Sequence, residues 1–209
     1  MAKGKFRFYF LWLSLLCVIA FIMQLIIPSF TELFILNNKA LFLNEYWRFA
    51  SAIFLHGSFI HLIYNLFALL FFGFTLERII GSRRFLIVFL LSGIIGNIVA
   101  VNFYDSSLGA SGAVYGILGC LTIINPFMFV WAFGLLMPMF IAAILWVLGD
   151  LIGLFIPSDV GHIAHLSGVF VGIVFGVLFR SLRKKNIEKK RKLIFPEDYM
   201  RKWEEVHMR

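Results

Sequence analysis

The sequence has little charge and almost no cysteine. Only 14% of its 209 residues are Asp, Glu, Lys or Arg, whereas soluble domains carry about 25%. Hydrophobic residues make up 61% of the chain and the mean hydropathy is +0.93. This composition excludes an ordinary soluble domain and predicts an integral membrane protein. The two cysteines, Cys17 and Cys120, lie inside apolar runs, so the sequence offers neither a disulfide framework nor a zinc site with cysteine spacing.

The net charge of +8 is concentrated near the two ends of the chain. Lys3, Lys5 and Arg7 lie before the first apolar run, and a dense basic run extends from Arg180 to Lys192. Such clusters beside apolar helices are typical of anchors on anionic lipid at the cytoplasmic face. They therefore indicate the lipid bilayer as a partner and argue against nucleic acid. The oligomeric state does not follow from the sequence.

Six apolar segments approach the length of about 20 residues that a helix needs to cross the hydrocarbon. The spans are expected at about 8–27, 57–76, 85–102, 111–125, 134–154 and 161–181. The loop between the first two, 28–56, is too apolar for a free linker and too polar to span, so we expect it to lie in the interface. Residues 1–182 would form one membrane domain, and 183–209 a basic cytoplasmic tail.

The positions of Lys and Arg predict the orientation of these spans. Both termini and the connection containing Arg83 and Arg84 are basic and should be cytoplasmic, which requires an even number of spans. The loops around Asp105 and Asp159 carry no Lys or Arg and should lie outside. The first apolar run is too long for a signal peptide and no cleavage site follows it, so it should remain a helix. A short compact chain without a transit-like N-terminus favours a prokaryotic plasma membrane.

Few polar groups lie within the predicted spans, where such groups are costly and usually face a bundle interior or water. His61 and Asn65 are four residues apart and share one helix face. Ser111 opens the fourth span and His165 lies near the start of the sixth. Because the even-numbered spans all enter from the outer side, these residues should lie at similar depth. The topology predicts one polar pocket just below the outer surface.

These side chains are those that acyl transfer requires. A serine hydroxyl is a weak nucleophile unless a neighbouring base such as a neutral imidazole accepts its proton. Ser111 and His165 can fill those roles. The Asn65 amide, the His61 ring N–H and the backbone N–H of Ser111, at a helix N-terminus, can donate hydrogen bonds to an oxyanion.

The spacing of glycines predicts how the fourth and sixth spans pack together. Gly168, Gly172 and Gly176 repeat every fourth residue in the sixth span, and the fourth span has a similar series at Gly112, Gly116 and Gly119. Faces of small residues allow helix backbones to approach closely. Such packing would bring His165 towards Ser111.

Two further residues leave alternatives open. His162 lies on nearly the same face as His165 and is its rival as the base, although it is closer to the helix end. Asp150, late in the fifth span, could complete a Ser–His–Asp triad or form hydrogen bonds within the bundle.

The ordered motifs resemble the rhomboid intramembrane serine proteases, from about residue 47 to 176. They are Trp47-Arg48, His61-Leu-Ile-Tyr-Asn65, Glu77-Arg78-Ile-Ile-Gly81-Ser82, Gly109-Ala-Ser111-Gly112 and Ala164-His165-Leu-Ser-Gly168. Ser167 stands where many members have glycine.

The resemblance implies an all-α membrane protein, a six-transmembrane-helix bundle with an interfacial first loop. It implies an intramembrane serine endopeptidase that cleaves transmembrane protein substrates near their outer ends, without metal or cofactor. Ser111 and His165 match the catalytic dyad, which argues against a triad through Asp150. His61, Asn65 and the Ser111 amide match the oxyanion hole. Supporting positions are Tyr115 against the catalytic histidine, Trp47 and Arg48 in the first loop, and Gly109, Gly112 and Gly168.

Two other classes fit parts of the pattern. The fold has non-catalytic relatives that bind membrane clients, but these are expected to have a broken dyad. A small transporter would carry charged residues in mid-span and broken helices near the midplane. The first loop and the fifth span, with Trp146 and Phe155, are candidates for the gate that admits substrate.

Overall fold

In the computed structural model, the described residues are 6–40, 42–194 and 197–208. They form mainly helices: α1 Tyr9–Ile26, α2 Phe30–Phe34, α3 Arg48–Ser51, α4 Phe59–Ala68, α5 Phe74–Ile80, α6 Ser82–Ala100, α7 Ser111–Ile124, α8 Met139–Gly153, α9 His162–Ile194 and α10 Glu197–His207. A 3₁₀ turn at Ala52–Phe54 continues α3. A π-helical turn at Leu69–Gly73 joins α4 and α5 into one span, Phe59–Ile80.

The membrane bundle expected from the sequence is present. Within the part of the chain that the structure describes, four helices are long and apolar enough to cross a bilayer: Tyr9–Ile26, Phe59–Ile80, Ser82–Ala100 and His162–Ser181 within α9. Two shorter apolar helices, α7 and α8, complete the set of six. The protein is therefore an all-α membrane protein with a short first-loop segment, α2 and α3, between its first two spans.

The start of the fifth span differs from the one that hydropathy predicts. The fifth span was expected to begin at 134, but α8 begins at Met139 because Leu135–Pro138 (β4) pairs antiparallel with Phe129–Ala132 (β3). Backbone hydrogen bonding to β3 thus holds an apolar segment out of the helix. The sixth span ends at Ser181, as expected, although α9 itself continues to Ile194, because no Pro or Gly follows in residues 182–194 to stop the helix.

The centre of the bundle is α7, which packs between α6 and α9. Ten of its 14 residues are buried, because glycines allow its neighbours to approach. A Cβ on Gly168 or Gly172 would overlap the carbonyl oxygens of Gly112 and Gly116, respectively. The helix contact that the glycine spacing predicts is therefore made backbone to backbone.

Glu77 fixes the C-terminal end of the second span to the first helix. Its carboxylate is fully buried and accepts hydrogen bonds from the backbone N–H groups of Tyr9 at 3.1 Å and Phe10 at 3.0 Å. The Ser82 hydroxyl also donates to it, at 2.6 Å. The carboxylate therefore satisfies N–H groups that the first turn of α1 leaves without intrahelical partners.

Arg48 organises the first loop. It is buried, forms a bidentate pair with Glu45 at 2.7 and 3.2 Å, and donates to the carbonyl oxygen of Ile35 at 2.8 Å. It also donates to the carbonyl oxygen of Glu32. One side chain thus connects α2 to α3, which gives Arg48 a structural role.

The first loop is also tied to the segments that surround Ser111. Leu36–Asn37 (β1) pairs antiparallel with Ser106–Ser107 (β2). The Gly109 N–H donates to the Ala52 carbonyl oxygen at 2.9 Å, and Asn97 of α6 donates to the Phe49 carbonyl oxygen at 2.9 Å. These long-range bonds fix the approach of the chain to α7.

Candidate active site

Ser111 is the first residue of α7, directly after a sharp turn in the backbone. Gly109, two residues earlier, has φ +124°, a conformation that favours glycine. A Cβ on Gly109 would lie 2.7 Å from His61 Cε1 and 3.8 Å from Ser111 Oγ. The turn therefore places the serine beside the imidazole of His61. At the first turn of a helix, the Ser111 N–H has no intrahelical acceptor and is available as a donor.

His165 lies in the first turn of α9 and is 7% exposed. Its ring stacks on Tyr115 of α7, with centroids 4.2 Å apart and planes within 9°. The preceding residue touches the serine helix, since a Cβ on Gly112 would lie 3.3 Å from the Ala164 carbonyl oxygen. Thus the residues next to Ser111 and His165 are in contact, and both side chains lie where α7 and α9 begin.

Asp150 connects the two histidines of α9. Its Oδ1 lies 2.9 Å from His165 Nδ1 and 2.6 Å from His162 Nδ1. The other ring nitrogen of His162, Nε2, is 3.0 Å from the Ser158 hydroxyl in the loop before α9. His162 therefore points to Asp150 and to the loop, whereas His165 lies against the helix that carries Ser111.

His61 and Asn65 lie on one face of α4. The Ser58 hydroxyl accepts from the His61 backbone N–H at 3.2 Å and caps the helix. The Asn65 amide donates to the His61 carbonyl oxygen at 3.0 Å, which uses one of its two N–H bonds and leaves the second available.

His56 is a neighbour of the pocket that the sequence did not single out. The His56 side chain is buried. The centroid of its ring lies 5.2 Å from that of the His61 ring. Its backbone is held by Gln24 of α1, which donates to the His56 carbonyl oxygen and accepts from its N–H. Burial, and secondly the nearby His61, lower the pKa of His56 from 6.5 to about 4. The ring is therefore neutral at neutral pH.

A metal ion is the other species that this cluster could hold. One ligand atom each from Asp150, His162 and His165 lies within 4.8 Å of the other two, and a His₂-carboxylate set suits zinc. Without a metal ion, the short contacts of the two histidine nitrogens with Asp150 Oδ1 satisfy the same three side chains as hydrogen bonds.

Some of the residues predicted from the sequence lie in the pocket, and others lie in the segments around it. Ser111, His61, Tyr115 and His165 lie around the starts of α7 and α9, and Asn65 lies one turn below His61. Trp47 is 54% exposed and lies beside Arg48 in the first loop. The contact of Asp150 with His165 crosses 15 residues and a loop, so no periodicity in the sequence could have revealed it.

A helical membrane bundle with a serine, histidines and an amide around one helix N-terminus defines a class: multi-pass proteins with a polar site inside the membrane domain. Residues 43–182 match the Rhomboid domain family model, which covers more than half of the chain. The protein belongs to the rhomboid family.

Three relatives illustrate the range of the family. The rhomboid protease GluP of Bacillus subtilis is 36% identical over 125 residues, 57% of this chain and 25% of that protein. The mitochondrial RHOMBOID-like protein 6 of Arabidopsis thaliana is 32% identical over 143 residues, 65% of this chain and 44% of that protein. The rhomboid protease GlpG of Haemophilus influenzae is 29% identical over 149 residues, 69% of this chain and 76% of that protein. The chain spans less than half of the length of the first two.

Proposed function

We propose that this protein is an intramembrane serine endopeptidase that cleaves transmembrane helices of membrane proteins near their outer ends. Ser111 is the nucleophile and His165 the general base. The observation that carries the proposal is the placement of His165: its ring is stacked on the serine helix, and the backbone beside it touches Gly112. Two relatives that are named rhomboid proteases support the same activity.

The chemistry follows from the roles of the side chains. His165 accepts the Ser111 hydroxyl proton as the oxygen attacks the scissile carbonyl carbon. The negative charge on the tetrahedral intermediate faces the Ser111 N–H, the His61 ring and the free N–H of Asn65. The imidazolium then gives its proton to the leaving amine, and an acyl-enzyme remains. Water attacks this ester with His165 again as base, which releases the acid and restores the serine hydroxyl.

The short length of α7 supports a site below the outer surface. Its 14 residues span about 21 Å, against about 30 Å of hydrocarbon. If its C-terminal end lies near the cytoplasmic face, Ser111 is sunk by about 9 Å and can be reached by water from outside. In this proposal residues up to 182 form the protease domain, both termini are cytoplasmic and the membrane is a prokaryotic plasma membrane. The basic residues after 182 would lie near anionic lipid.

A fluorophosphonate probe tests the nucleophile without a known substrate. The full-length protein, purified in detergent, is treated with the probe and the adduct is located by mass spectrometry. We expect an adduct on Ser111 that is lost in Ser111→Ala and His165→Ala. Ser106→Ala, which changes an exposed serine of β2, should label like the parent.

A transmembrane reporter tests the reaction itself. The parent should cleave it and the two dyad variants should not, although all three elute alike on size exclusion. Equal cleavage by the parent and Ser111→Ala would refute the proposal. If the folded parent neither labels nor cleaves but still captures the reporter helix, the protein is a non-catalytic client-binding member of the family.

A further inference from the structure

We propose that Asp150 positions the imidazole of His165, so that its Nε2 is free to accept the Ser111 proton. This inference rests on the proposed function and extends it. Asp150 would be a positioning residue for the base. A Ser–His dyad by itself contains no such residue.

The hydrogen bonds determine where the protons lie. Asp150 Oδ1 contacts two ring nitrogens, His165 Nδ1 at 2.9 Å and His162 Nδ1 at 2.6 Å. A carboxylate oxygen only accepts hydrogen bonds, so each nitrogen must carry a hydrogen. A neutral imidazole has one N–H, so both rings have a bare Nε2.

A second contact is compatible with this tautomer in His162. Its Nε2 lies 3.0 Å from the Ser158 hydroxyl, which can donate to a bare ring nitrogen. The same rule applied to His165 leaves Nε2 as an acceptor for the serine hydroxyl. The opposite tautomer, with hydrogen on Nε2, could not accept the Ser111 proton.

The Asp150 carboxylate is buried beside the two histidine rings. Asp150 is only 4% exposed, so its carboxylate is shielded from water. The end of α8 is held close to α9, since a Cβ on Gly153 would overlap the His162 ring. Tyr115 holds the face of the His165 ring, and Asp150 holds its edge. The two contacts restrict both tilt and rotation of the base.

The carboxylate also opposes the charge that forms on the base. When the Ser111 proton moves to Nε2, the ring becomes an imidazolium with both nitrogens protonated. Asp150 then accepts a charge-assisted hydrogen bond from Nδ1, and the Nδ1 proton stays on the ring.

Asp150→Asn tests this role with little change of shape. The amide can turn its NH₂ towards His165 Nδ1, which forces the hydrogen onto Nε2 and removes the acceptor. With the fluorophosphonate as probe, we expect kinact at Ser111 to fall at least about tenfold while KI stays within about twofold. Asp159→Asn is the matched control. Asp159 is exposed in the loop before α9, and its substitution changes the charge by the same amount.

The outcomes separate positioning from folding and from the proposed function. An Asp150→Asn protein that melts with the parent and labels at the parental rate would overturn the inference while leaving Ser111 and His165 in place. Failure of the parent itself to label and cleave would instead refute the proposed function.

A measurement on the parent protein tests the inference without depending on activity or on an Asp150 variant. In ¹⁵N-histidine-labelled protein, His165, assigned by comparison with His165→Gln, should show a pyrrole-type Nδ1 and a pyridine-type Nε2 at neutral pH. The reverse pattern would overturn the inference. Chelation with EDTA should leave labelling unchanged, and a loss that added Zn²⁺ restores would assign the cluster to a metal instead.

Discussion

At the residue scale, the backbone before Ser111 is tightly constrained. Gly109 combines φ +124° with the His61 ring at 2.7 Å from the position of a Cβ. Alanine there would meet both an unfavourable conformation, costing about 1–3 kcal/mol, and the ring itself. The position therefore requires glycine for two separate reasons.

We expect Gly109→Ala to displace His61 and reduce fluorophosphonate labelling of Ser111 at least about tenfold. The matched control is Gly134→Ala in the β3–β4 turn. Gly134 also has positive φ, +75°, but nothing lies within 4 Å of its Cβ position. Equal labelling by the two variants would show that the contact with His61 has no part in the site.

His56 predicts a pH dependence of stability. Its pKa is lowered to about 4 in the folded protein against 6.5 ordinarily, so the unfolded chain binds the proton more readily. The His56 contribution is complete above pH 6.5 and is lost as the pH falls towards 4, by about 3 kcal/mol.

The measurement is the melting temperature of the parent and of His56→Phe between pH 7 and pH 4, about the range over which a histidine titrates. The parent should lose more stability on acidification than the variant does. The other histidines are common to both proteins, so the difference reports His56. Parallel curves would contradict the assignment.

At the scale of elements, the site depends on how closely α7 and α9 approach. Their backbones touch at glycines, where carbonyl oxygens occupy the space of a missing Cβ. An added methyl group must push α7 and α9 apart. This separation also moves His165 away from Ser111, although both lie about two turns from the substituted position.

We therefore expect Gly172→Ala to insert into the membrane and remain helical but to lose most labelling at Ser111. A Cβ on Gly172 overlaps the Gly116 carbonyl oxygen, whereas that of Gly149 on α8 has nothing within 4 Å. Gly149→Ala should label like the parent. Circular dichroism and labelling measured on the same preparations separate the two effects, and normal labelling of Gly172→Ala would refute the coupling.

At the scale of the whole molecule, the proposed orientation can be tested with single cysteines. Cys17 and Cys120 are both buried, so the parent should react little with maleimides. In intact bacterial cells, an impermeant maleimide should modify Ser106→Cys in the loop before α7. It should modify Arg83→Cys, at the start of α6, only after the membrane is opened. The reverse pattern would invert the proposed topology.

The sequence by itself determined the membrane class and the helices, because apolar content and span length respond to the bilayer locally, residue by residue. It also indicated Ser111, His61, Asn65 and His165 as candidates, because polar residues inside apolar spans are few. Only the tertiary structure decided that Asp150 meets His165, that Glu77 caps α1, and that an apolar segment before α8 forms a hairpin. Each of these depends on directional hydrogen bonds between groups that a loop or another helix brings together, and such contacts leave no period or composition in the sequence.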